Sequence, residues 1–355
     1  MRYLITSNVG LGNMILKTPM FKAIQALDPG AEIDVMANNR AGAVDVIRGL
    51  PELRNAYEFQ TAESPRRRKE FARLIRDNKY DVALIPMDGG PGWLRLILWR
   101  SRIPKKVQLC AVPGNRLWER AQLVLLHRRI EFVPWLVGRH EIDMNLDLVQ
   151  ALIKKPLHRN YQTSVCYQPD KEVVARFGLP SRYVCLQVGA AEGLHTPKRW
   201  PVENFSRLIR ALGERYPDIG LVTVGTPREY EMFVAPLMED HPQLINTAGR
   251  TDIGQLCNVL QGAEAVVTHD SGIMHIANAL DSRLIALYGP TDFTRTRPLG
   301  ENAVVLRQDL PCAPCMFGSG GPSESEIYES CPQLECMAEI SVNDVLDALQ
   351  KALKN

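Results

Sequence analysis

Short apolar runs of strand length alternate with stretches whose apolar residues recur at helical spacing, and the alternation continues along the whole chain. It is sharpest in the second half. Residues 265–268 form an apolar run of strand type, Asp270-Ser271-Gly272 make a polar corner, and Ile273, Ile276, Ala277 and Leu280 then fall on one helical face. A second apolar run, 283–288, follows and ends in Gly289-Pro290-Thr291. Strand, corner, helix and strand make a βαβ unit. Earlier in this half, residues 183–188 predict a central strand leading into the small-residue turn Gly189-Ala190-Ala191. Thr196-Pro197-Lys198-Arg199-Trp200-Pro201 open a helix that buries Phe205, Leu208, Ile209 and Leu212. Residues 219–225 predict the next strand, 246–256 a loop and a capped helix start, and 341–353 a final amphipathic helix with Ser341 and Asp344 spaced as a capping box.

The first half carries the same pattern. Residues 2–6 predict a strand, 7–13 a glycine-bearing polar loop, 14–27 a helix interrupted near Pro19 and stopped by Pro29-Gly30, and 31–37 a second strand. The basic cluster Pro65-Arg66-Arg67-Arg68-Lys69 opens a helix over 70–78, and residues 79–90 predict a buried strand ending in Asp88-Gly89-Gly90. An apolar helix over 93–100 with Arg95, Arg100 and Arg102, a short strand over 107–110 and a helix from Arg139 to the Lys154-Lys155-Pro156 stop complete this half. The stretch up to Pro180 mixes Pro, Asn, Gln and charge and reads as an interdomain connection. The expected domains are residues 1–165 and 175–355.

Length agrees: 355 residues suit two domains, each with a full core. A net charge of +2 makes no case for nucleic acid. No apolar run approaches the roughly 18 residues of a membrane span, and the first apolar run is too short for a signal peptide. The expected compartment is the cytoplasm, where the eight cysteines are thiols or metal ligands rather than disulfides.

Candidate chemistry gathers at predicted strand ends. A helix N-terminus presents unpaired N–H groups and a positive dipole end, so the Asp270-Ser271-Gly272 corner suits an anion, above all a diphosphate. Asp270 or Ser271 can cap the helix, and Gly272 admits close approach to the backbone. His275, one turn on, can face the same corner, and Thr291 ends the next strand. Lys198 precedes another helix start. Asp88 sits where a strand runs out, as a base or as a turn-capping aspartate. His140 is a further proton-handling candidate, while Glu141 and Asp143 read as a solvated helix start. The basic cluster at 65–69 reads as a solvated face, with contact to an anionic acceptor or membrane surface as the alternative, and the helix at 93–100 packs one face on the sheet and shows its arginines to water, with an acceptor wall or a membrane surface as the alternative. Cys312-x2-Cys315 and Cys331-x4-Cys336, separated by a Gly/Ser/Pro-rich loop, match a tetrahedral four-thiolate site, with four reduced thiols as the alternative.

Taken together, Asp270-Ser271-Gly272-x-Met274-His275-x-Ala277-x-Ala279-Leu280, Lys198-Arg199-Trp200-Pro201 and Tyr288-Gly289-Pro290-Thr291-Asp292 resemble the signature of glycosyltransferase family 9, the ADP-heptose:lipopolysaccharide heptosyltransferases. The resemblance spans nearly the whole chain and is strongest in residues 183–292. It implies an α/β fold of GT-B type, two Rossmann-like domains facing across a cleft. It further implies inverting transfer of a heptose or related sugar from an ADP-sugar to the hydroxyl of a glycan or lipid-linked acceptor, with no catalytic cofactor. Lys198 would stabilise the leaving diphosphate and Glu229 would contact the ribose, helix capping being the alternative for Glu229. Clusters like the four cysteines imply a structural zinc or iron. Peripheral contact with the inner face of the membrane would bring enzyme to acceptor. The family's catalytic aspartate corresponds to Asn13 in Gly12-Asn13-Met14-Ile15-Leu16-Lys17-Thr18-Pro19, and an amide takes up no proton at neutral pH. Asp88 is then the first substitute base and His140 the second. Three alternatives stay open: a transferase with another nucleotide-sugar donor, a degenerate sugar-nucleotide binding protein, and an epimerase of similar architecture.

Overall fold

The computed structural model describes residues 1–111, 130–136, 138–153, 156–190, 196–316, 324–331 and 333–354. Ala191, the Lys154-Lys155 pair and residues 317–323 of the Gly/Ser/Pro-rich loop lie outside the described residues. Two compact units make up the chain, Met1–Cys166 and Tyr167–Asn355.

The first unit holds six parallel strands: β1 (Arg2–Ser7), β2 (Glu32–Asn38), β3 (Leu53–Phe59), β4 (Val82–Ile85), β5 (Lys105–Ala111) and β6 (Glu131–Trp135), in the spatial order β3-β2-β1-β4-β5-β6. The second repeats that plan with β7 (Tyr183–Gln187), β8 (Gly220–Val224), β9 (Ile245–Asn246), β10 (Ala265–His269), β11 (Leu284–Tyr288) and β12 (Ala303–Arg307), in the order β12-β11-β10-β7-β8-β9. Each is a doubly wound sheet whose strand order reverses at one place, β1/β4 in the first and β7/β10 in the second. In such sheets the ligand crevice opens at the carboxyl ends of the strands flanking that reversal. The expected α/β fold with two Rossmann-like domains is what the chain forms.

Central strands read as unbroken apolar runs because helices cover both their faces; β7, β10 and β11 are buried along their whole length. Sequence reading missed β3 and β6 for the complementary reason. Both lie at sheet edges, half exposed, and polar or proline residues such as Arg54, Glu58, Glu131 and Pro134 dilute their apolar runs. The helix expected over 14–27 is two helices, Leu11–Ile15 and Thr18–Leu27. The break falls before Pro19, which sits in the first turn of the second helix, where its missing N–H costs nothing. The basic cluster lies within the helix Pro65–Asp77 rather than ahead of it, because Ser64 caps the Arg67 N–H (3.2 Å) and Pro65 takes the first helical position.

The start of the expected interdomain stretch is bound into the first unit. Arg159 spans Asp143 (2.8 Å) and Asp147 (2.5 Å), the Ser164 N–H donates to Thr18 Oγ1 (2.8 Å), and the Cys166 N–H donates to the Val46 carbonyl (2.8 Å). In the second unit the helix Val202–Arg215 buries Phe205, Leu208, Ile209 and Leu212 as its periodicity predicts, against Val267, Leu287 and Leu349. Among the described residues no helix is long and apolar enough to cross a membrane.

Candidate functional site

In the second unit Ser271 and Glu229 are joined through Gln187 at the β7/β10 reversal, and Lys198 approaches Asp270 there. Ser271, not Asp270, caps the helix Gly272–Ala279: its Oγ accepts the Met274 N–H (3.5 Å) and donates to Gln187 Oε1 (2.7 Å). The backbone turns from β10 into that helix within two residues, so the N–H groups of the first helical turn stand at the carboxyl end of the sheet. Asp270 serves instead as a counter-charge. Its carboxylate lies 3.7 Å from Lys198 Nζ and accepts from Tyr288 Oη (3.3 Å) and Thr296 Oγ1 (3.4 Å). Burial, and then the Asp270 charge, hold the Tyr288 phenol well above its ordinary pKa, so it stays a neutral donor. His275 is buried one turn into the helix, and Thr291 is buried three residues beyond β11, where its Oγ1 finds no hydrogen-bond partner among the described residues.

Glu229 is buried as the acid of a capping box: its Oε2 accepts the Thr226 N–H (2.7 Å) and Thr226 Oγ1 accepts the Glu229 N–H (3.2 Å). A Cβ at Gly189 would collide with the Glu229 side chain, so the glycine after β7 is what admits that carboxylate to the strand end.

Two residues without an expected role hold this corner together. Gln187, the last residue of β7, accepts from Ser271 and Thr268 and donates to Glu229 Oε1 (3.4 Å). His269 is fully buried at the end of β10. Its Nε2 accepts the Trp200 N–H (3.0 Å) and its Nδ1 lies 3.0 Å from the Gly189 carbonyl. One nitrogen faces a donor and the other an acceptor, which selects the neutral Nδ1–H tautomer. Burial lowers its pKa to about 3. This ring pins the Lys198-Arg199-Trp200-Pro201 loop beside the helix start. A lone polar residue closing an otherwise apolar strand, as in Tyr183–Gln187, is the sequence signal that could have found Gln187.

In the first unit the β1/β4 reversal carries a charged cluster. Lys17, at the break between the two short helices, is 1% exposed in its side chain and lies 3.2 Å from Asp88 Oδ2 and 3.7 Å from Glu141 Oε1. Its Nζ also donates to the Asn13 carbonyl (3.4 Å), and the Asn13 amide donates to both Glu141 oxygens (3.2 and 3.1 Å). Asp88 sits just beyond β4, its carbonyl accepting the Asn8 N–H from the end of β1 (2.7 Å). Glu141 is a correction: it is buried and ion-paired, not part of a solvated helix start, because Lys17 and Asn13 supply partners inside the fold. His140 is buried with its Nδ1 accepting the Ile142 N–H (3.2 Å), which commits that nitrogen to capping the helix Glu141–Gln150. Asp143 and Asp147 bind Arg159.

Cys312, Cys315, Cys331 and Cys336 all border one pocket of about 200 Å³. Yet among the described residues no three His, Cys, Asp or Glu side chains converge tightly enough to ligate one ion, so the four-thiolate expectation is met in proximity and not in coordination geometry. Burial, and then the neighbouring Cys315, Cys331 and Cys312, push the Cys336 thiol up to about 11. The segment clamps β11: the Cys315 and Met316 N–H groups donate to the Pro290 carbonyl (2.9 and 2.8 Å), Thr291 bridges to Met316, and a Cβ at Gly289 would collide with Met337.

Elsewhere in the first unit a groove of about 860 Å³ opens at the amino-terminal ends of β4 and β5, away from the Asp88 cluster. Ile75, Ile97 and Ile103 form its floor, and Arg76, Lys79, Arg100 and Arg102 line it.

The profile of glycosyltransferase family 9 (heptosyltransferase) matches residues 106–319. The chain is 26% identical to lipopolysaccharide heptosyltransferase 2 of Salmonella typhimurium over 321 residues, covering 86% of this chain and 88% of the relative. Against lipopolysaccharide heptosyltransferase 3 of Escherichia coli K12 the identity is 23% over 308 residues, covering 82% and 84%. Among solved structures, a family 9 glycosyl transferase from Veillonella parvula superposes with a TM-score of 0.77 at 20% identity, covering 99% of this chain and 97% of that one. E. coli ADP-heptose LPS heptosyltransferase II superposes with 0.73 at 23% identity, covering 100% and 99%. An iron-containing dodecameric glycosyltransferase from enterotoxigenic E. coli superposes with 0.59 at 11% identity, covering 99% and 76%. A profile match across 106–319, on a fold with two doubly wound sheets and a capped helix start beside Lys198, places the chain in glycosyltransferase family 9, the heptosyltransferases, as a glycosyltransferase.

Proposed function

We propose that the protein transfers a heptose, with inversion, from an ADP-sugar to an acceptor hydroxyl in the synthesis of lipopolysaccharide or a related surface glycan. The observation that carries this reading is the meeting of Lys198 with the Ser271-capped helix start at the β7/β10 reversal. In a single displacement the acceptor oxygen forms its bond to the anomeric carbon as the bond from that carbon to the diphosphate breaks, and negative charge grows on the departing diphosphate. The N–H groups at Gly272 and the Lys198 ammonium are preorganised to stabilise that charge. Thr291 Oγ1 and His275 line the same side, Glu229 serves the ribose through Oε1, and Asp88 of the first unit receives the acceptor proton. The first unit is thus the acceptor domain and the second the donor domain. The names of relatives such as lipopolysaccharide heptosyltransferases 2 and 3 and a lipooligosaccharide heptosyltransferase 2 support the sugar and the pathway.

Two further parts of the proposal concern partners. The four cysteines hold a structural zinc or iron that fixes the loop bearing Thr291 and takes no part in transfer. The basic groove in the first unit rests on anionic lipid at the inner face of the membrane, bringing the enzyme to a lipid-linked acceptor.

Thermal unfolding against ADP, UDP, GDP, CDP and ADP-heptose tests the donor. A ligand at about 100 times its dissociation constant adds roughly 2.7 kcal/mol to stability. Selective stabilisation by ADP and ADP-heptose is expected. Preference for another nucleotide overturns the donor, and donor binding without turnover on any acceptor reduces the protein to a sugar-nucleotide binder.

A further inference from the structure

The Lys17 cluster is built in a way that transfer alone does not require. One ammonium, 1% exposed, is shared by two carboxylates, and only one of those is open to solvent: Asp88 is 26% exposed and Glu141 is 8% exposed. Burying a lysine is costly without a compensating charge, and a second carboxylate adds a further desolvation cost. A purely structural pair would need one carboxylate. This lysine has two, and the formal charges of Lys17, Asp88 and Glu141 sum to −1.

We propose that Lys17, Glu141 and Asn13 are positioning residues that leave Asp88 free to accept the acceptor's proton. Glu141 supplies the lasting counter-charge to Lys17. When Asp88 takes a proton, the buried remainder is a neutral Lys17–Glu141 pair rather than a stranded ammonium. Protonation of Asp88 is therefore compensated in advance. Asn13 holds the arrangement with its amide on both Glu141 oxygens, and its lack of charge matters. A carboxylate at position 13 would set a third negative charge about 3 Å from Glu141 against one lysine. In the step itself the acceptor O–H proton passes to an Asp88 oxygen, the O–H electron pair forms the bond to the anomeric carbon, and the diphosphate leaves with the electrons of the bond that breaks.

Among the described residues Asp88 contacts Lys17 from the helix break, and Lys17 in turn reaches Glu141 at the start of Glu141–Gln150; the neighbouring His140 keeps its Nδ1 on its own helix cap. On its own turn, residues 86–90, Asp88 is the one titratable side chain.

This inference rests on the heptosyl-transfer reading, and steady-state kinetics across pH test it. The substrates are ADP-heptose and a lipopolysaccharide core truncated at its heptoses. Wild-type protein that binds ADP-heptose but turns it over neither on this core nor on any other glycan or lipid-linked acceptor overturns the transfer reading itself. With wild-type turnover in hand, D88N is expected to lose on the order of 10²–10⁴-fold in kcat, the scale of general-base catalysis. E141Q is expected to lose about tenfold in kcat at an unchanged KM for ADP-heptose, with the acid limb of its pH–rate profile moved to lower pH, and E141D to recover part of the loss. K17M moves the acid limb the other way. K17M/E141Q removes one charge of each sign and returns the limb towards wild type, which keeps the test available when K17M alone does not fold. E141Q with wild-type kcat, a loss confined to KM, or acid limbs that stay put or move together in E141Q and K17M would overturn the proposal.

Discussion

His269 shows how one side chain converts a sequence pattern into a site. It ties the ends of β7 and β10 to the Lys198 loop through one accepted and one donated hydrogen bond, with Phe205 packed against it at a ring distance of 5.7 Å. The bond accepted at Nε2 needs the neutral ring, since an imidazolium has no acceptor nitrogen, and that sets a sign for pH dependence. The folded-state pKa is about 3 and the unfolded value about 6.5, so the unfolded chain binds the extra proton between them. The contribution of His269 is complete above pH 6.5 and declines as pH falls towards 3. Chemical denaturation of wild type and H269Q at pH 7 and pH 5 measures it. The amide keeps a donor and an acceptor but does not titrate, so wild type is expected to lose about 2 kcal/mol more than H269Q over that interval. Parallel losses in the two proteins would mean that the ring is not the proton-sensitive element.

At the scale of elements, what was legible depended on where in the sheet a residue falls. The β10–helix–β11 unit could be read directly, because buried central strands are apolar throughout and a capped helix start is written in adjacent residues. Lys198 and Ser271 therefore came from local pattern, and Lys198 approaches Asp270 next to the Ser271 cap. Edge strands β3 and β6 hid in half-exposed sequence, and Lys17, Glu141 and Gln187 hid because their partners lie far away: Glu141 is 128 residues from Asn13, and Gln187 is 84 from Ser271. Burial of a charge is decided by what long-range packing brings to it, which no local window contains. The cysteine segment is the intermediate case. Spacing pointed to a four-thiolate site, whereas among the described residues the four cysteines border one pocket without converging as ligands, and the clamp on Pro290 came from tertiary structure. A metal drawn to those thiolates would order the end of β11 rather than react with sugar. Elemental analysis of the purified protein is expected to find one zinc or iron per chain, and C312S/C315S to abolish it while lowering the melting temperature. Metal-free wild-type protein with an unchanged melting temperature would rule the structural ion out.

For the molecule as a whole, charge is nearly balanced at +2, so no long-range field drives it to an anionic surface and any membrane contact must be local. The groove beside β4 and β5 has the required local composition. Arg76, Lys79, Arg100 and Arg102 are exposed around an apolar floor, with Asp81 the one acid lining it, and that acid already accepts the Arg2 N–H (2.8 Å). Cations at a lipid surface contribute about 1 kcal/mol each, so R100Q/R102Q should lose about 2 kcal/mol, roughly 30-fold in affinity for anionic vesicles. Cosedimentation with phosphatidylglycerol-containing and pure phosphatidylcholine vesicles measures this. Binding is expected for the anionic vesicles alone, weakened by raised salt because surface charge is screened within about 10 Å at 0.1 M. The same variant should keep wild-type turnover on a detergent-dispersed acceptor, because the groove lies at the amino-terminal ends of the strands and Asp88 beyond a carboxyl end. Equal binding to both vesicle types, or an R100Q/R102Q protein that binds as wild type does, would remove the groove as the membrane contact and leave transfer itself untouched.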